Sequence, residues 1–231
     1  RQQGIYILGV DDERLNGVEQ VTAAHEMLHA AYDRLSKGQR KAIDSLLMNY
    51  YDNNLPEGTV KEQVDSYRKT EPNDLVNEMH SIFATEVRDL PANLESYYSQ
   101  YFADRSKIIT YYDKYQQEFT SRQDKIKAND AQLEVLKVEI ESLSGTLTSE
   151  LDDLQAQRNN LNNLKSSGDI AAYNAAIPGY NNQVNGYNVK ADDLRNKISL
   201  YNSLVQERNR LAAETNQLTA EISNKVPAAT K

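Results

Sequence analysis

Cysteine and tryptophan are missing from this chain, and histidine is nearly so, with three residues among 231. Without cysteine there is no disulfide and no thiolate metal site. The absence assigns no compartment, because many envelope proteins also lack cysteine. Only 39% of the residues are hydrophobic. That is little for a compact globule, and it points to an elongated part. No Gly-rich phosphate loop is present, so nucleotide binding has no support. No signal peptide and no apolar run long enough for a membrane span occur. The chain starts at Arg1, which reads as a fragment or a processed product. Any membrane contact would then come through a segment outside this chain.

Charge is unevenly spread. The formal net charge is −8, from 26 basic and 34 acidic residues. Residues 1–104 hold 10 Lys/Arg against 18 Asp/Glu, and residues 105–231 hold 16 of each. The acidic half repels phosphate backbones, which argues against nucleic acid as a partner. Ordinary solubility is one reading of that half; attraction for basic peptide segments is the sharper one.

Gly4-Ile5-Tyr6-Ile7-Leu8-Gly9-Val10 is a short apolar run closed by Asp11-Asp12 and predicts a strand. After Asn16-Gly17, helical periodicity runs from Val18 to about Leu35, with Gly38 as its stop. Further helices are expected over about Lys41–Tyr51, from Thr59 to Tyr67, from Asp74 to about Leu90, and from Asn93 through a Tyr-rich stretch.

Beyond residue 105 the pattern changes. Positions 108, 112, 115, 119 and on to 164 alternate steps of four and three and are mostly apolar. The exceptions are Arg122, Asn129, Glu150 and Gln157. A seam held for about eight heptads predicts a coiled coil. Ser166-Ser167-Gly168-Asp169 interrupts it. A second seam runs from Ile177 through Tyr180, Val184, Tyr187, Ala191, Leu194, Ile198, Tyr201 and Val205. It then shifts phase to Leu204, Leu211, Leu218 and Ile222, as at a stutter. A short break between two seams predicts an antiparallel hairpin.

The chemistry sits in His25-Glu26-Met27-Leu28-His29. Four residues advance a helix by slightly more than one turn, so both imidazoles leave one face and can share an ion. Zinc is the usual occupant of such a pair. Glu26, about 100° round the helix, reaches the open coordination position and can take a proton from water there.

These five residues resemble the gluzincin branch of the zincin metallopeptidases. The extension of the other large branch, with Gly and a third His, is absent from Ala30-Ala31-Tyr32-Asp33-Arg34-Leu35. The resemblance implies a third ligand, a glutamate on a later helix. Asn77-Glu78-Met79-His80-Ser81 supplies Glu78 with a small residue three positions on, although Ile82 stands where many relatives carry an acid. Glu86 and His80 remain alternatives, as ligands or as partners behind the ligands. His80, Tyr97 and Tyr98 are candidates for stabilising an oxyanion.

The expected fold is mainly α, of α+β type. A small zincin-like lobe over 1–104, with the strand as its edge, precedes a coiled-coil hairpin over 105–231. The expected function is zinc-dependent hydrolysis of peptide bonds with Glu26 as general base, on a protein or peptide substrate. The hairpin would position the lobe, self-associate or bind a protein partner. The alternative is a scaffold or adhesion protein that keeps a structural metal site. By analogy with such relatives, the location would be a cell envelope or outside the cell.

Overall fold

The computed structural model describes Ile7 and residues 9–222. A 3-10 turn over Glu13–Leu15 precedes seven helices. These are α1 (Val18–Asp33), α2 (Lys37–Asn53), α3 (Thr59–Thr70), α4 (Leu75–Glu86), α5 (Ala92–Tyr98), α6 (Arg105–Ser167) and α7 (Ile170–Ile222). Two compact units divide the chain: residues up to 121 together with those from 216 on, and residues 122–215. None of the described helices is long and apolar enough to cross a membrane.

The expected α+β lobe with a strand edge is corrected: no strand or sheet occurs among the described residues. Part of the Gly4–Val10 run lies outside them; Ile7, Gly9 and Val10 carry no regular structure. The physical reason is local. A strand needs a neighbour for its backbone groups, and here the Val10 N–H donates to Glu19 Oε1 at 2.8 Å instead. Val10 packs with Leu15, Val18 and Leu218 in a small helical cluster.

The first unit is organised around α4. Residues Glu78 through Thr85 are buried on every side of that helix. Met79, Ile82 and Phe83 meet Leu28 and Tyr32 of α1, Ile43, Leu47 and Tyr50 of α2, Val64 of α3, and Leu94 and Tyr98 of α5. Burying each large apolar side chain contributes about 1.5–3 kcal/mol. Ile82 lies in this core, fully covered, so an acid there would face apolar neighbours rather than a ligand histidine.

Gly17 fixes the start of α1. Its φ is 109°, and a Cβ there would stand 2.8 Å from Tyr111 Cβ. Only glycine tolerates both conditions. The start of α2 differs from the sequence expectation. Ser36 and Gln39 form a capping box, so α2 begins at Lys37 and Gly38 lies inside it rather than ending α1. At the other end of α4, Arg105 donates to the carbonyls of Ala84, Val87 and Arg88 and pairs with Glu95. One guanidinium thus takes one of the last carbonyls of the central helix and two just past its end.

The second unit is a pair of antiparallel helices. From 122 to 164, each expected seam position is buried or half-buried and all others are exposed. Leu136, Leu147, Leu154 and Leu161 are the most covered. Three of the four polar seam residues find partners across the hairpin: Arg122 with Glu214, Glu150 with Lys190, and Gln157 with Gln183. Glu139 also meets Lys197, and Asp130 meets Arg208. Partner numbers rise on one helix as they fall on the other, which fixes the register.

Gly168 (φ 80°) turns the chain between the helices, and Asp169 Oδ1 accepts from Ala172 N. Pro178 does not end α7. It is exposed, so its missing N–H falls on the solvent side. The phase shift of the second seam comes earlier than expected. Ile198 is exposed at 41%, and half-buried Lys197 takes its place. The covered steps 191, 194, 197 are two successive threes, which overwind a coil rather than unwind it.

Candidate metal centre

α1 buries a stripe of Val18, Val21, Ala24, Leu28 and Tyr32, at the 3.6-residue period of an amphipathic helix. His25 and His29 each follow a stripe residue by one position. They therefore lie at its edge, half-buried, where α1 packs against α4. Glu78 enters from α4 and is itself buried.

The three side chains converge. His25 Nε2 and His29 Nε2 are 3.0 Å apart. Glu78 Oε2 is 3.7 Å from His25 Nε2, and Glu78 Oε1 is 3.6 Å from His29 Nε2. Tetrahedral ligands about 2.0–2.1 Å from one zinc ion stand about 3.3–3.4 Å from one another. The two Glu78 distances run to different oxygens of one carboxylate, and one ligand atom from each of the three residues lies within 4.8 Å of the other two. Among the described residues, this is the one group of three or more His, Asp or Glu side chains with ligand atoms close enough to hold an ion.

The polar accounting supports the same fit. Glu78 Oε2 is buried and has no hydrogen-bond partner. A buried carboxylate oxygen without a donor is costly, and a cation satisfies it. The donor set, two imidazoles and one carboxylate, suits zinc. Glu26 is exposed, beside His25 on the outer side of the pair.

The alternatives take other roles. His80 is fully buried and lies outside the ligand group. Its ring is surrounded by those of Tyr32, Tyr97, Tyr98 and Tyr101. Its Nε2 and the Tyr97 hydroxyl are 2.9 Å apart, and Tyr98 donates to its carbonyl. Its Nδ1 faces the Leu28 backbone without a well-formed hydrogen bond. Burial, reinforced by the nearby His29, pushes its pKa down to about 4. His80 is thus a neutral core histidine at pH 7.

Tyr97 and Tyr98, expected as oxyanion donors, are committed to His80. Tyr98 is entirely buried. Glu86 also lies outside the ligand group. Gln63 Nε2 donates to it at 3.4 Å. Burial raises its pKa, against the opposing pull of His25, Gln63 and Tyr112.

One residue expected only as the end of α3 belongs here. Tyr67 of α3 stands beside Glu78, and burial followed by the Glu78 charge raises its phenol pKa. The signal was available: Val60, Val64 and Tyr67 recur at i, i+4 and i+7, which places the phenol on the inner face of α3. The chain matches no family model, no curated protein and no solved structure.

Proposed function

We propose that this protein is a zinc-dependent endopeptidase, working from a helical frame rather than from the strand-edged lobe of the zincins. The observation that carries this reading is the convergence of His25 and His29 with Glu78, beside an exposed Glu26. His25, His29 and Glu78 would hold the ion. A bound zinc supplies Lewis acidity that brings the pKa of water to about 7. Glu26 takes the proton from the attacking water and passes it to the leaving amine. We assign the role of donor to a developing oxyanion to Tyr67, whose phenol interacts with the ligand carboxylate. We assign the hairpin the role of positioning this site or engaging a protein partner.

One observation favours a second reading. No strand among the described residues is available to receive an extended peptide. On that reading the metal site is structural and the hairpin is the working part of a scaffold. Zinc content and casein cleavage, compared between wild type and Glu26→Gln, separate the two. The peptidase reading expects one zinc per chain in both proteins. It also expects cleavage to drop by roughly 100-fold or more in Glu26→Gln, the usual range for a lost general base. Stoichiometric zinc with no Glu26-dependent cleavage selects the scaffold.

A further inference from the structure

A cleft of about 370 Å³ opens between the α2–α3 connection and the end of α4. That is within the range of ligand pockets, about 300–1,000 Å³. Its walls are apolar: Tyr50, Leu55, Val60 and Val87. Its charge is acidic. Glu86 and Asp89 line it without an opposite charge paired to either. The remaining charges are internally balanced, since Arg88 pairs with Asp113 and Glu57 with Lys61.

Glu86 also ties the cleft to the metal group. It sits at the last residue of α4, two turns beyond Glu78, and His25 is the first of the groups that favour its charged form. The cleft thus lies at the end of the helix that carries Glu78. Apolar walls with an uncompensated acidic interior suit a side chain with a methylene stem and a cationic head. A carboxylate–cation contact there is charge-assisted, with Glu86 half-buried and Asp89 at the exposed rim.

We propose that this cleft receives a lysine or arginine side chain of a bound peptide, its stem along Leu55, Val60 and Val87 and its head toward Glu86 and Asp89. The ligand's identity as a peptide rests on the endopeptidase reading; the preference for a cation rests on the cleft alone.

The test uses the full chain as Glu26→Gln, loaded with zinc, so that bound peptide is not consumed. Blocked alanine–glycine octapeptides carrying one central lysine, norleucine or glutamate are titrated and followed by NMR shift changes. The lysine peptide is expected to bind at least tenfold tighter than the norleucine peptide, and the glutamate peptide weakest. Asp89→Asn, at an exposed position, and Glu86→Gln, of the same shape, together reduce the lysine advantage below threefold and leave norleucine affinity unchanged. Equal affinities, no binding of the lysine peptide, or a lysine advantage that survives both substitutions overturns the proposal. The outcome is independent of catalysis. If wild type cleaves nothing yet the lysine preference is present and sensitive to both substitutions, the peptidase reading falls and the cleft stands.

Discussion

The two units treat buried polar groups in opposite ways. In the hairpin, three of the four polar residues in the apolar seam of α6 are matched across it: Arg122, Glu150 and Gln157 each meet a partner on α7. In the first unit, unsatisfied buried atoms gather on one stretch of α4: Asn77 Oδ1, Glu78 Oε2, His80 Nδ1 and Ser81 Oγ. An unpaired buried polar group costs about 1–3 kcal/mol. A fold keeps such a group where something outside the chain satisfies it or where function requires it. The hairpin's paired polar residues specify alignment; on α4, Glu78 belongs to the candidate metal group while His80 stays in the core.

The strongest challenge to this contrast is the ligand itself. Zinc supplied at a thousand times its dissociation constant should stabilise the first unit by about 4 kcal/mol. Amide exchange read by mass spectrometry should slow in α1 and α4 and stay unchanged over residues 130–200. Equal slowing in both regions, or none, would end the distinction. His29→Ala should abolish the zinc effect.

Core truncations sharpen the comparison next. Ile82→Ala removes a fully covered side chain from a helix packed on all sides, and should cost about 4 kcal/mol, high in the usual 2–5 range. Leu147→Ala in the seam has fewer neighbours to leave a void, and should cost about 2 kcal/mol. Urea unfolding with probes in each unit measures both, and a reversed order would refute the packing argument. Gly17→Ala forces a left-handed φ on alanine and presses it against Tyr111. A cost of about 1–3 kcal/mol is expected, seen as faster exchange at the start of α1.

The smallest effects belong to the hairpin. Asn129 Nδ2 is buried without a partner, so Asn129→Leu should raise hairpin stability by about 1 kcal/mol. Lys190→Ala, which breaks the pair with Glu150, should cost less than about 1 kcal/mol. A larger loss would make that pair more than a register mark.

The sequence carried most of the hairpin, because a seven-residue seam repeats one signal many times. A single irregular step was misplaced: Ile198, expected in the seam, is exposed, and half-buried Lys197, paired with Glu139, stands there instead. The histidine pair was legible for a related reason, since helix geometry fixes two residues four apart. Glu78 was not fixed by spacing. It meets the pair because α4 packs against α1, a long-range fact that the sequence alone does not hold. The strand expectation rested on the same weak ground: five apolar residues among two glycines state a preference but not a partner. The roles of Tyr97 and Tyr98 were misjudged because their consumer, the buried His80, was undecided between core and site.

The boundary between the units has a consequence for how the protein can be taken apart. Composition divides it near residue 104, but Arg105, Ile109 and Tyr112 are buried in the first unit, and Leu218 returns to the same unit from the far arm. The hairpin is thus an insertion and not an appendage. Where it departs and where it comes back, Arg122 and Glu214 are 3.3 Å apart. Residues 122–215 can accordingly be excised and the gap bridged by a short loop, at a closure cost that grows by only about 0.6 kcal/mol per doubling of its length. Cutting at 104 instead removes the guanidinium that finishes α4, and with it the support of the helix that carries Glu78.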